Sequence, residues 1–375
     1  VSGSISSSVV IVVLEISQGV GQRVGSDRGL VPGHFAGYTV EVTIGVEEEF
    51  LVVDPVTRRT APYADIVLKQ VGRLPAGARV HSELLNTQVE FATGVCRTFD
   101  DLRDQLVAGR TELKAAARRE KLGLVSSGTA VLSGTDAHLT SGARFERIGD
   151  IYQGLVEDYQ VSGCHVHVGI ADRDTAIAVI NHMSYWLPTL LALSASSPFD
   201  NGRDTGYASW RMIQQSRFPG SGLTPWFGSA AEYDHFVDQL VDFGVLVDHA
   251  MTFWLARPSP RYPTIEVRVA DAAATVDEAV QQAVLTEGLV RYALAELDAG
   301  REAKPIGDQQ AKAAVWAAAR HGINGPAIDL RSGRPVAARK LLTELTDLLG
   351  LPPLHPRPRV TGDPAAVVDA LMEDL

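Results

Sequence analysis

The sequence predicts an α+β fold built on an antiparallel β-sheet with one face on an apolar core. Three observations carry this. Four short segments alternate between apolar residues on one face and charged or metal-capable residues on the other, as strands of a half-covered sheet do. Helical apolar stripes lie between and after them. No G-x-x-x-x-G-K-[ST] and no glycine turn of dinucleotide-binding spacing occurs, which argues against a P-loop or Rossmann fold.

Residues 1–40 are rich in Ser, Gly and Val without a clear period, and read as a poorly ordered N-terminal tail or extension. Residues 41–375 show no internal repeat and read as one domain. The first strand runs through Thr43, Ile44 and Val46 to Val53, with Glu47 and Glu49 on one face and Val46, Glu48 and Phe50 on the other. Two neighbouring carboxylates on an apolar strand repel each other, so they either face solvent or hold a divalent cation. Glu48, on the core side, then needs a basic partner or a place at the sheet margin.

A short helical patch follows over Ala64–Val71. The second strand, Thr87–Thr93, puts Gln88 and Glu90 on one face and Val89 and Phe91 on the other. Thr98 is positioned to cap a helix whose stripe of Leu102, Leu106, Leu113, Ala116 and Ala117 runs to Lys121. Leu122–Ser127 reads as a buried strand and Phe145–Tyr159 as an amphipathic helix. The third informative strand, Val161–Ile170, sets His165 and His167 on one face against Cys164, Val166 and Val168. Paired histidines on one face are either metal ligands or hydrogen-bonded core residues. Cys164 falls on the apolar side and reads as packing.

Thr175–Ala195 is a long apolar helix with a kink or break at Pro188. Ser197–Gly228 combines glycines, prolines and aromatics with Arg203, Arg211 and Arg217. It is either a loop that binds carboxylates or phosphates or a structural loop packed on its own aromatics. Glu232–Met251 is helical. The fourth strand, Thr264–Asp271, pairs Glu266 with Arg268 on one face. Helices follow over Val276–Leu297, Gln309–Arg320, Ala337–Leu349 and Pro364–Leu375.

The net charge of -11 argues against a nucleic-acid or membrane-surface partner, though a local arginine cluster or metal can still receive an anionic small substrate. Cys96 and Cys164 are the only cysteines, which gives no disulfide framework and no thiolate zinc site and suits the cytoplasm. No segment has the length of a membrane span, and Val9–Leu14 lacks the basic flank of a secretory signal. The outer faces of the four strands together form an acidic, histidine-containing bowl. Its oxygen-rich donors suit Mg²⁺ or Mn²⁺ better than structural zinc.

Gly45-Val46-Glu47-Glu48-Glu49-Phe50, Gln88-Val89-Glu90, Gly163-Cys164-His165-Val166-His167-Val168-Gly169, Ser197-Pro198-Phe199 with Gly202-Arg203-Asp204-Thr205-Gly206, and Ile265-Glu266-Val267-Arg268 occur in this order. Together they resemble the glutamate–cysteine ligase type 2 family of YbdK-type carboxylate–amine ligases, over about Thr43 to Leu349. The proline-rich stretch Leu351–Arg359 departs from the family pattern. The resemblance implies a glutamine-synthetase-like curved antiparallel sheet with helices packed on one face, within a single ATP-dependent catalytic domain. It implies ATP and Mg²⁺ as cofactors and small-molecule amino-acid substrates, with no nucleic acid and no membrane, and leaves a homodimer open.

By motif, Glu47, Glu49, Glu90, His165 and Glu266 match metal-binding positions of the wider superfamily. Arg268 matches a residue that meets ATP phosphate or an acyl phosphate. His167 fits the subfamily only. Arg203 joins Arg268 as a catalytic candidate, and Arg211 and Arg217 join it as nucleotide-binding candidates, from the composition of their loop. The implied reaction joins the γ-carboxylate of L-glutamate to the amine of L-cysteine through a γ-glutamyl phosphate. A ligase of the same family with another amine or acid, a metal-dependent hydrolase and a non-catalytic nucleotide-binding relative are the rival readings.

Overall fold

In the computed structural model, which describes residues 42–354, 356 and 359–375, the chain is built around one seven-stranded sheet. The tail expected over residues 1–40 lies outside the described residues. The strands of this sheet are β1 (Ile44–Val53), β2 (Arg79–Ser82), β3 (Gln88–Ala92), β4 (Gly123–Val125), β5 (Gly163–Gly169), β6 (Ala256–Pro258) and β7 (Thr264–Asp271). Their order is β6-β7-β5-β1-β3-β2, with β4 paired to the end of β1, and all these pairings are antiparallel. The four strands expected from alternation therefore lie side by side as β7-β5-β1-β3, so their polar faces coincide.

The apolar face is covered by helices. The α-helices among the described residues, in chain order, are α1 (Ala64–Lys69), α2 (Phe99–Arg119), α3 (Ala143–Tyr152), α4 (Arg173–Met183), α5 (Leu187–Ser194), α6 (Trp210–Gln215), α7 (Ala230–Asp242), α8 (Val276–Asp298), α9 (Asp308–His321), α10 (Ala338–Leu349) and α11 (Pro364–Asp374), and α2 and α8 lie on the apolar face. Val46 and Phe50 of β1, Phe91 of β3, Val166 of β5 and Ile265 of β7 pack into one cluster with Leu102, Leu106 and Leu113 of α2 and with Leu285 and Leu289 of α8. Thr98 caps α2 as its sequence indicates, accepting from the Asp101 amide. On the other face, Leu51 and Val53 at the end of β1 pack with Val367, Val368 and Leu371 of α11. That second cluster closes one end of the polar face.

Several boundaries differ from expectation. The helix expected over Phe145–Tyr159 ends at Tyr152, where Gln153 takes φ 48° and a 3-10 turn follows. The long helix over Thr175–Ala195 is two helices, α4 and α5, bent by 65°, with Pro188 in the first turn of the second, where its missing N–H is harmless. Among the described residues no single helix is long and apolar enough to cross a membrane. The helical stretch over Glu232–Met251 stops at Asp242 and resumes only as a 3-10 turn at His249–Met251. The aromatic stretch Ser197–Gly228 is not all loop: Ser209 caps the short helix α6, accepting from the Met212 amide.

Candidate active site

Strand register decides what meets on the polar face. Glu47 lies opposite His165, Glu49 opposite Glu90, and His167 opposite both Gly45 and Glu266. Residues opposite each other in an antiparallel pair share a face. The result is a cleft open to solvent. Glu47, Glu49, Glu90, His165, His167, Glu266, Arg268 and Arg211 all line it.

Two donor clusters stand there side by side. Glu47, His167 and Glu266 bring one ligand atom each within 4.8 Å of one another, and Glu49, Glu83 and Glu90 do the same. His165 lies between the clusters, with Nδ1 3.3 Å from Glu47 Oε2 and Nε2 3.6 Å from Glu49 Oε1. His167 Nδ1 is 2.9 Å from Thr264 Oγ1, a contact that orients the ring and turns Nε2 toward the carboxylates. Nε2 of both histidines is buried and has no hydrogen-bond partner among the described residues, although carboxylate oxygens lie within reach. Imidazole nitrogens left bare beside carboxylates, in a set dominated by oxygen donors, fit a hard divalent cation such as Mg²⁺ or Mn²⁺.

The electrostatics separate the clusters. Burial pushes the Glu47 carboxyl up, but His165 and His167 beside it outweigh burial and hold it well below the usual range. Burial opposes ionisation of Glu266 too, and Arg257 and Arg268 overcome it. Arg257 grips Glu266 with two hydrogen bonds of 2.9 and 3.2 Å, and Arg268 contacts Oε1 of the same carboxylate. The second cluster has no such relief. Burial and the neighbouring Glu83 push Glu49 up to about 8, against Arg211 and Arg268. Burial, Glu47 and Glu83 push Glu90 well up. Burial and Arg268 push His165 down to about 4, which keeps it neutral. Three carboxyls on one spot must share protons or a cation.

The arginines of the aromatic segment divide. Arg211 is buried and reaches the cleft, because α6 is moored: Ser209 and Ser197 both donate to the buried Asp271 at the end of β7. Arg203 and Arg217 are not brought to the cleft. Arg203 is exposed and pairs with Asp200 at 3.2 Å, and Arg217 reaches Asp158 at 3.3 Å. Each is drawn to an acid beside it. Glu83, Arg257, Arg144, Arg261 and Tyr262 line the cleft without having been singled out from the sequence. Neither Arg257, in the three-residue β6, nor Glu83, which follows the four-residue β2, has a period to mark it in the sequence.

A family model described as glutamate–cysteine ligase family 2 matches residues 43–357. A Saccharopolyspora erythraea protein named "Putative glutamate–cysteine ligase 2-2" is 52% identical over 333 residues, covering 88% of this chain and 84% of its own length. One from Rhodopirellula baltica, named "Putative glutamate–cysteine ligase 2", is 36% identical over 338 residues, 89% of each chain. Among solved structures, a glutamate–cysteine ligase from Francisella tularensis in complex with AMP superposes with TM-score 0.61 at 14% identity, over 83% of this chain and 78% of that one. A bifunctional glutathione synthetase from Pasteurella multocida gives TM-score 0.60 at 13% identity, over 83% of this chain and 46% of that one. The shared architecture is the glutamine-synthetase-like α+β fold expected from the sequence.

Proposed function

The chain belongs to glutamate–cysteine ligase family 2, and from that premise we propose that it is an ATP-dependent carboxylate–amine ligase joining L-glutamate to L-cysteine. The products are γ-glutamylcysteine, ADP and phosphate. The observation that supports this most is the pair of adjacent donor clusters, Glu47–His167–Glu266 and Glu49–Glu83–Glu90, with Arg268 beside them on an open sheet face.

Mg²⁺ or Mn²⁺ held by these clusters would neutralise charge on the ATP phosphates as the terminal phosphoryl group transfers to the γ-carboxylate of glutamate. The chain's own residues position and exclude. Arg268 is held by Glu266 with its remaining donors toward the cleft, where they meet a phosphate or an acyl phosphate. Arg257 keeps Glu266 ionised and in place. His165, neutral at physiological pH, spaces Glu47 from Glu49 without adding charge. The amine of cysteine then attacks the γ-glutamyl phosphate, and phosphate leaves. No cysteine lines the cleft among the described residues: Cys164 faces the apolar core, and burial pushes its thiol up.

Hydroxamate formation from L-glutamate, ATP and hydroxylamine tests this directly, because it traps an activated acyl group whatever the natural amine. We expect hydroxamate and stoichiometric ADP. Glu47→Ala should lower turnover at least about 100-fold, the upper end of what losing even an outer partner of a metal ligand costs. Wild-type rates in a folded Glu47→Ala protein would overturn the metal assignment. ADP release across a panel of acids and amines identifies the substrate pair; dependence on another pair would replace glutamate plus cysteine.

A further inference from the structure

A second cavity lies between the carboxyl end of α5 and the first turns of α8, and among the described residues it shares no lining residue with the cleft. Gln282 lines it. This glutamine sits in the buried stripe of α8 with Ala279, Ala283 and Leu285 and is only 5% exposed. Its side chain makes no hydrogen bond among the described residues. A buried amide without a partner is costly, so one that faces a cavity calls for a group that completes it.

The surroundings set the charge of that group. Asp271, Asp277 and Glu278 line the cavity, and among the described residues no Arg, Lys or His does. The three donors to Asp271 are neutral: Ser196 N at 2.9 Å and the hydroxyls of Ser197 and Ser209 at 2.7 and 2.8 Å. Arg211 stands off from it at 3.9 Å. Asp277 meets Arg103 at the rim, and Glu278 accepts from Ala274 N at 2.9 Å. The end of α5 adds to the negative side. Past its last turn the chain turns away, Ser196 N to Asp271 and Ser197 N to Ala208 O, and no amide closes back on the helix. Leu193 and Ser194, which end the helix, line the cavity. The uncapped carbonyls of a helix end carry partial negative charge and favour a cation. Leu193, Ala195 and Ala273 make the rest of the wall apolar, which suits a short methylene chain rather than a bare ion.

We propose that this cavity binds a protonated aliphatic amine and couples its presence to the cleft. The ammonium donates to the Gln282 amide oxygen and the carbonyl end of α5, and its chain lies on Leu193, Ala195 and Ala273. The coupling runs through one residue. Asp271 lines the cavity and also accepts from Ser197 and Ser209, the contacts that moor α6 and hold Arg211 at the cleft. An occupant that draws on Asp271 therefore acts on that mooring. The cavity as a binding site does not rest on the ligase reading; its coupling to a nucleotide in the cleft does.

Calorimetric titration of the full chain, with Mg²⁺ present, compares butylammonium, 1-butanol and K⁺. The alcohol has the chain without the charge, and the ion has the charge without the chain. Butylammonium should bind at least about tenfold tighter than either, the size of one hydrogen bond to a charged group. Gln282→Met removes the acceptor and should weaken butylammonium about tenfold, while Glu266→Gln in the cleft leaves its affinity within about twofold. Without amine, the Tm of Gln282→Met should equal or exceed that of the wild type, because no hydrogen bond is lost. The wild-type comparison needs no variant and stands even where a variant does not fold. Equal or tighter binding of 1-butanol or K⁺, amine binding lost in Glu266→Gln but kept in Gln282→Met, or a lowered Tm of Gln282→Met would each overturn the site. Saturating butylammonium should change the affinity for a non-hydrolysable ATP analogue at least about fivefold, the low end of allosteric coupling. An unchanged affinity would overturn the link through Asp271. Amine binding to a protein that binds no ATP analogue supports the cavity and counts against the ligase reading. Analogue binding without amine binding does the reverse.

Discussion

Glu48 stands between two cleft-facing glutamates and points into the core, where Arg110 meets it. Arg110 Nε and Nη2 donate to the Glu48 carboxylate at 3.0 and 2.6 Å, and Nη1 and Nη2 also donate to the carbonyls of Ala274 and Ala273 at 2.8 Å each. Both side chains are almost fully buried. One guanidinium therefore ties β1 to α2 and to the segment leading into α8. Arg110→Ala would strand a buried carboxylate and two carbonyls, and should destabilise the protein by about 3–5 kcal/mol in chemical denaturation. Replacing both partners, Glu48→Leu with Arg110→Met, should recover most of that loss, because no charge is then left buried. A loss below about 1 kcal/mol for Arg110→Ala would mean the pair is not structural. The alternation of Glu47, Glu48 and Glu49 was legible because a strand has period two, and that Glu48 needed a core-side partner followed from it. Its identity did not, being 62 residues away, although Arg110 falls on the apolar stripe of α2 among Leu102, Leu106 and Leu113 and a charge there is a signal. Loop arginines carry no such marker: composition grouped Arg203, Arg211 and Arg217, and only the mooring of α6 on Asp271 singles out Arg211.

At the scale of elements, the approach of α2 to β3 depends on Gly109. A Cβ there would lie 2.2–2.5 Å from three ring carbons of the fully buried Phe91. Two effects compete in Gly109→Ala. Alanine favours the helix by about 1 kcal/mol. Overpacking a rigid ring against the backbone of a long helix costs about 1–3 kcal/mol or more. The overlap is severe, so the variant should be destabilised on balance; a stabilised variant would show that helix and sheet can part cheaply. The same physics explains which elements were legible. Long segments with a steady period were found close to their bounds, as with Val276–Leu297 against Val276–Asp298 for α8 and Thr264–Asp271 for β7. Short ones were found less often, α1 (Ala64–Lys69, expected over Ala64–Val71) being an exception. The three- and four-residue strands β6 and β2 and the six-residue α6 are too brief to show a period, and tertiary contacts make them. The end of α3 is set by Gln153 at a positive φ of 48°, which its residue type does not announce.

For the molecule as a whole, an acidic chain with a net charge of -11 concentrates acids on one sheet face, and the metal-free protein must accommodate them. Burial and Glu83 push Glu49 up from 4.5 to about 8, and burial with Glu47 and Glu83 pushes Glu90 up as well. A carboxyl whose folded pKa lies above its unfolded value binds its proton more tightly when folded. Its contribution to stability is therefore fully present at acid pH and is lost as pH rises from 4.5 toward about 8. A divalent cation takes the place of those protons, so its affinity should rise over the same window with proton release. The increase in Tm on adding Mg²⁺ or Mn²⁺ should accordingly be larger near about pH 8 than near about pH 6. Calorimetry in buffers of different ionisation enthalpy should detect the released proton. Glu49→Gln keeps the shape, removes the titrating group and should flatten the dependence. A metal-induced shift that shrinks as pH rises, or one that Glu49→Gln leaves untouched, would remove the Glu49–Glu83–Glu90 cluster as a cation site while leaving the Glu47–His167–Glu266 cluster to be tested by Glu266→Gln in the same assay.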